Sequence, residues 1–169
     1  MKIYINPGHS ANIDTGKEEK TINSDVANKL VKIMKDEGHD VYSLYFLNPH
    51  DAANSANTHI VDVFIGIECN ASADTSVNGV ESYAYNGSTE GMLLASCINH
   101  AIVTAIPVQD HGVKTSNYSI LRNVKAYAAI VKIGYITNTE DERMLTNERF
   151  RDKIAKAIAN GIKSYIAAK

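Results

Sequence analysis

Tryptophan is absent from this chain of 169 residues, and cysteine, phenylalanine and proline are scarce, at two, three and three. Two cysteines cannot staple a disulfide scaffold; Cys69 and Cys97 form one bridge at most, and free thiols are the expectation. So few prolines, with ten glycines, exclude collagen-like and proline-rich low-complexity chains. No apolar run approaches the roughly 18–20 residues of a membrane span. Neither sign of charge dominates: 17 Lys and Arg against 19 Asp and Glu leave −2, with no basic footprint for nucleic acid or an anionic membrane. The opening Met1-Lys2-Ile3-Tyr4-Ile5-Asn6 is a strand start, not a secretion signal. Either the protein is made without a signal or the sequence begins after one.

What the chain does have is ordinary apolar content, 44%, spread along its length. That suits one domain over residues 1–169 with a sizeable core. Residues 2–6 alternate and stop at Pro7-Gly8, a strand running into a loop. Ile22, Val26, Leu30 and Ile33/Met34 then recur at helical spacing until Gly38. Residues 39–46 form a second strand candidate closed by Asn48-Pro49, and residues 52–57 a short helix or loop. The run 61–67 is almost wholly apolar, the habit of a parallel strand covered on both faces. Residues 79–86 and 128–135 read as further strands, 118–121 as a short extended piece, and 90–106 as a helix. Phe150, Ile154, Ala157/Ile158, Gly161/Ile162 and Tyr165 mark a closing amphipathic helix. The class is α/β: a single domain with a mostly parallel or mixed twisted sheet of about six strands flanked by helices.

Polar residues gather where strands end, the place where open α/β sheets put their sites. Asn6-Pro7-Gly8-His9-Ser10 follows the first strand, Glu19 opens the first helix, Glu68-Cys69-Asn70 follows the 61–67 run, and Lys132 follows Ile130-Val131. A loop His is usually solvated, and Glu19 can simply favour a helix N-terminus. Glu68 and Lys132 are harder to set aside, because a charge inside an apolar run needs a partner. Cys69 faces away from Glu68 by strand alternation and reads as packing. His39, His50, His59 and His100 look like surface residues.

The order of these pieces resembles the zinc-dependent N-acetylmuramoyl-L-alanine amidases of the amidase-3 type, which cleave the lactyl-amide bond between sugar and stem peptide in peptidoglycan. That domain type occurs in bacterial and phage autolysins and endolysins. Its opening D-P-G-H-like loop appears as Asn6-Pro7-Gly8-His9, and its E-K-x-x-N helix start as Glu19-Lys20-Thr21-Ile22-Asn23. Its V-D-x-F-I-S-I-H-A-N-A segment is Val61-Asp62-Val63-Phe64-Ile65-Gly66-Ile67-Glu68-Cys69-Asn70-Ala71, and its G-x-E-x-Y strand is Gly79-Val80-Glu81-Ser82-Tyr83. A D-R-G-V-K segment is matched by Asp110-His111-Gly112-Val113-Lys114. The closing L-V-E-x-G-F-x-S-N is Ile130-Val131-Lys132-Ile133-Gly134-Tyr135-Ile136-Thr137-Asn138.

The resemblance implies a zinc held by the first His, the helix-start Glu and a second His, with a Glu after the last strand moving the proton. His9 and Glu19 match. Glu68 stands at the second His, and Lys132 at the catalytic Glu. A His9-Glu19-Glu68 metal set is chemically sound, but an ammonium at 132 beside a dication is unfavourable. We therefore expect Lys132 to sit near the metal position, paired with Glu68, Glu19 or both, and zinc to be weak or absent. Asn70, Glu81 and His111 are candidate substrate contacts. Glu81 or His111 is also the substitute base in the alternative of a working zinc amidase, while solvated loop His is the plainer reading of His111. The further alternative is a non-catalytic structural or interaction module. Implied partners are peptidoglycan or muropeptides, with no nucleic acid. The implied location is the cell wall, or the cytoplasm for a phage-encoded product.

Overall fold

The computed structural model describes residues 1–8, 16–45 and 48–169, with the backbone alone at 16 and 17. Among these, the elements run β1 (Lys2–Pro7), α1 (Gly16–Asp36), β2 (Asp40–Tyr42), α2 (Pro49–His59), β3 (Val63–Asn70) and β4 (Val80–Tyr85). They continue with α3 (Thr89–Ala105), β5 (Asp110–Ser116), α4 (Ser119–Asn123), β6 (Tyr127–Tyr135), α5 (Thr139–Leu145) and α6 (Glu148–Ala167). The strands make one mixed sheet in the order β2-β1-β3-β6-β4-β5. The β2-β1-β3-β6 neighbours are parallel, β4 runs antiparallel to β6, and β5 is parallel to β4.

Helices cover both faces. Ile22, Val26, Leu30 and Met34 of α1 are buried with Ile3, Ile5, Ile65 and Ile67 of the central strands, and with Leu94, Ile98, Ile158 and Ile162 of α3 and α6. On the opposite face Tyr4, Phe64 and Ile130 pack with Ala52, Ala53 and Ala56 of α2 and with Ile120 and Leu121 of α4. Because β1, β3 and β6 are covered on both sides, their sequences are nearly continuous apolar runs. Asp141 of α5 ties the far end of the sheet together, accepting from the N–H groups of Gly79 and Tyr135 at 2.8 Å each.

Helices α3 and α6 approach closely, and a Cβ on Gly161 would lie 2.4 Å from Ile98 Cα and 2.8 Å from the Cys97 carbonyl oxygen. Gly161→Ala is therefore expected to push these helices apart at a cost of about 1–3 kcal/mol. A urea midpoint unchanged from wild type would contradict that packing.

Several expectations need correcting. The second strand is confined to residues 40–42, with Phe46 outside the described residues. Residues 118–121 are not extended: residues 119–123 form α4, whose Ile120 and Leu121 plug the α2 side of the sheet. Of the two readings of residues 52–57 the helix is the one observed: they lie inside α2, started by Asn48, whose side chain accepts from the Asp51 N–H, and by Pro49. Residues 110–116, with His111, form an edge strand, and 139–145 a capped helix. Both cysteines are free thiols, Cys69 buried as expected. His59 is half-buried, its ring 4.3 Å from that of Tyr42. No helix among the described residues is long and apolar enough to cross a membrane.

Candidate functional site

Register brings the two unusual charges together. Glu68 pairs with Lys132 across the parallel β3–β6 ladder, and Glu81 pairs with Lys132 across the antiparallel β6–β4 ladder. Directly paired residues point to one face of a sheet. A carboxylate, an ammonium and a second carboxylate thus stand in a row on three adjacent strands. Lys114 of β5 extends the row, its ammonium ion-paired with Glu81. Charge alternates along the row: Glu68, Lys132, Glu81, Lys114.

Lys132 Nζ donates to Glu68 Oε2 at 2.6 Å, with the two side chains only 16% and 23% exposed. Burial pushes the ammonium's pKa down, but the Glu68 charge and hydrogen bond push it up further, and the balance lies above the ordinary lysine value. Lys132 is therefore protonated at neutral pH and cannot accept a proton. The other Glu68 oxygen is crowded by the loop after β1: a Cβ on Gly8 would fall 2.4 Å from Glu68 Cγ and 2.6 Å from Oε1. Glycine at position 8 is what lets Glu68 lie there.

Asn23 of α1 fixes that loop. Its Nδ2 donates to the Gly8 carbonyl at 2.8 Å, and its Oδ1 accepts from the Cys69 N–H at 2.9 Å, linking the ends of β1 and β3. Glu19, one turn earlier, is fully buried. Burial chiefly, then the charge of Glu19, pushes the Cys69 thiol upward and keeps it protonated. His9 lies outside the described residues.

Glu81 is 4% exposed and saturated. It accepts from Asn70 Nδ2 at 2.9 Å and from the Tyr83 hydroxyl at 2.7 Å, besides the Lys114 ammonium. Burial pushes its pKa up; the Lys114 and Tyr83 hydrogen bonds outweigh this and set it below the ordinary 4.5. A depressed carboxyl stabilises the fold above its unfolded pKa, and that contribution is lost as pH falls through the folded value. Glu81→Gln is expected to flatten the dependence of the urea midpoint on pH below about 4.5. An acid limb identical to wild type would contradict it.

Asn70 is occupied at both ends, its Oδ1 accepting from the Ala71 N–H at 3.0 Å. His111 stands on β5, two strands from Lys132, its Nε2 2.6 Å from the Asn78 carbonyl oxygen and its ring edge-on to Tyr135. The site therefore gathers Glu68, Lys132, Glu81 and Asn70, while His111 lies to one side. Lys114, Tyr83 and Tyr118 join it although the sequence did not single them out as site residues. The alternation of Glu81 and Tyr83 on β4 was the available signal for one of them.

Beside the pair is a cleft of about 220 Å³, lined by Pro49, Tyr118, Ser119, Ile120 and Ile130 together with Glu68 and Lys132.

Residues 3–164 match the sequence profile of the amidase-3 family, described as N-acetylmuramoyl-L-alanine amidase. The chain is 30% identical over 174 residues to the uncharacterized protein YqiI of Bacillus subtilis strain 168, covering 96% of this chain and 84% of that one. It is 29% identical over 179 residues to the N-acetylmuramoyl-L-alanine amidase LytC of the same strain, covering 96% of this chain but only 35% of the relative. Among solved structures it is similar to an N-acetylmuramoyl-L-alanine amidase from Clostridium difficile 630. The TM-score is 0.89 at 27% identity, covering 99% and 97% of the two chains.

Proposed function

The chain belongs to the N-acetylmuramoyl-L-alanine amidase family, and we propose that within it this domain binds peptidoglycan without hydrolysing it by zinc chemistry. The Lys132 ammonium neutralises Glu68 as a fixed charge where the family resemblance implies a metal. The observation that carries this reading is the 2.6 Å contact between Lys132 Nζ and Glu68 Oε2.

The family implies a resident zinc, and the described donors do not fit one. Glu68 already holds a cation, and that cation occupies the position of the proton-transferring Glu. A carboxylate shared between an ammonium and a dication puts the two cations about 4 Å apart. At an effective dielectric constant near 20, +2 against +1 at that distance repel by roughly 8 kcal/mol. That repulsion is relieved only if Lys132 leaves the site or loses its proton.

Of the two candidate substitutes for a proton acceptor at 132, His111 stands two strands away with its Nε2 2.6 Å from the Asn78 carbonyl oxygen. Glu81 is occupied by three donors. What survives is a preformed, charged surface at the carboxyl ends of β3 and β6, suited to binding. The natural setting of such a domain is the bacterial wall.

Purified protein should sediment with isolated sacculi and leave them unlysed with zinc supplied in excess. Clearing of the walls in a zinc-dependent manner would overturn the proposal, as would failure to sediment with them.

A further inference from the structure

The near-neutral net charge hides a local segregation on α6. From 149 to 164 its exposed residues are Arg149, Lys153, Lys156, Asn160, Lys163 and Ser164. Steps of four, three, four and three residues keep the first five on one outer face. The two acids of this helix, Glu148 and Asp152, are turned toward Lys29 of α1, at 3.6 and 2.6 Å. Lys163 is held by Glu37 at 2.9 Å. Among the described residues no ion pair holds Arg149, Lys153 or Lys156. Like charges at these spacings destabilise a helix, so this face weakens α6 unless an anion lies on it.

At its first turn the stripe meets a cavity of about 410 Å³, lined by Glu140, Arg143 and Met144 of α5 and by Arg149, Phe150 and Lys153 of α6. Arg143 approaches Glu140 only to 3.9 Å, with the two side chains 81% and 74% exposed, a surface contact that leaves the guanidinium available. Three cations therefore face one carboxylate around this space. Guanidinium forks match the oxygens of a phosphate two at a time.

The stripe also has a direction. Arg151 on Asp25, Lys29 on Asp152 and Lys163 on Glu37 set α6 parallel to α1, which starts from the carboxyl end of β1. The cations thus begin at the end of the sheet that carries Glu68 and Lys132 and lead away along the helix. At 1.5 Å per residue, Arg149 and Lys156 stand about 10 Å apart along the axis, with a cation every ~5 Å. One small anion cannot reach all three, whereas a chain charged at every short repeat can. Nucleic acid would have the charge, but the exposed aromatics Tyr118 and Tyr127 lie on other elements, so bases find no stacking platform here.

Resting on the wall-binding role proposed above, we propose that the outer face of α6, from the Arg143 cavity to Lys156, binds a linear phosphodiester-linked polyol of the bacterial wall.

The test is calorimetric titration of the whole chain with poly(glycerol phosphate), with inorganic phosphate and with poly(dT). Poly(glycerol phosphate) is expected to bind most tightly of the three and to lose about tenfold in affinity between 50 and 200 mM salt. Replacing Arg149→Gln, Lys153→Gln and Lys156→Gln together should weaken it by about tenfold or more. The same loss of charge elsewhere, Lys2→Gln with Lys35→Gln and Lys125→Gln, should leave its affinity within about twofold. No binding of the polymer at the lower salt, equal losses in the two variants, or tighter binding of poly(dT) or free phosphate would overturn the inference. Should the stripe variant not fold, the wild-type order of the three probes decides alone. Sedimentation with sacculi stripped of phosphodiester polymer by acid keeps the two readings apart. Retention there preserves the binding role even if the titrations fail, and loss there removes that role while the titrations still decide the α6 face.

Discussion

The double substitution Glu68→His with Lys132→Glu is expected to give a protein that binds one zinc per chain and hydrolyses muropeptide amide bonds. The two positions are direct neighbours across the β3–β6 ladder, so both changes fall in one place. Gly8 leaves room above residue 68, Glu19 is already buried at the head of α1, and Asn23 already holds the ends of β1 and β3. The exchange removes the cation that opposes a metal and installs a group that accepts a proton. A general base alone contributes about 10²–10⁴-fold, and water activation by a metal adds to that. Turnover should therefore exceed that of the parent by at least about 10⁴-fold, measured by release of free amine. If neither zinc nor turnover appears, the cleft has diverged beyond these two residues.

Lys132→Met alone has its largest effect on stability. It leaves the Glu68 carboxylate 23% exposed with its counter-ion gone. Breaking a fully buried pair from one side costs ~3–5 kcal/mol; with this degree of exposure about 2–3 kcal/mol is expected. The readout is a lower urea midpoint at unchanged slope. Adding Glu68→Gln should recover part of the loss, because the unpaired charge is then gone. A double-mutant cycle should return about 1–3 kcal/mol of coupling. Additive losses would mean the pair is a surface contact of little energetic consequence.

Much of this arrangement was legible in the sequence, for identifiable reasons. The runs around Ile65 and Ile130 are apolar because helices cover both sides, and the same cover makes Glu68 and Lys132 conspicuous. Charge complementarity then pointed to a pair. It did not choose between Glu68 and Glu19 as the partner of Lys132; the ladder register places Glu68 opposite it. The edge of the sheet was harder to read. The 110–116 strand is half-exposed, carries Gly112 at φ +76°, and meets β4 through a register shift, so it lacks clean alternation. Missing that strand hid Lys114 and, with it, the reason Glu81 is held so firmly. The α4 and α5 helices span five and seven residues, too short for apolar periodicity to build up. For α5 the cap was the better signal: Asn138 accepts from the N–H groups of Glu140 and Asp141.

A zinc titration of the unaltered chain at neutral pH, followed by metal analysis after gel filtration, tests most directly whether a lysine has displaced the metal. The account predicts less than a tenth of an equivalent retained and no change in wall turbidity. One equivalent carried through the column, accompanied by release of stem peptides, would show that Lys132 yields its place and that the site is a working metal centre.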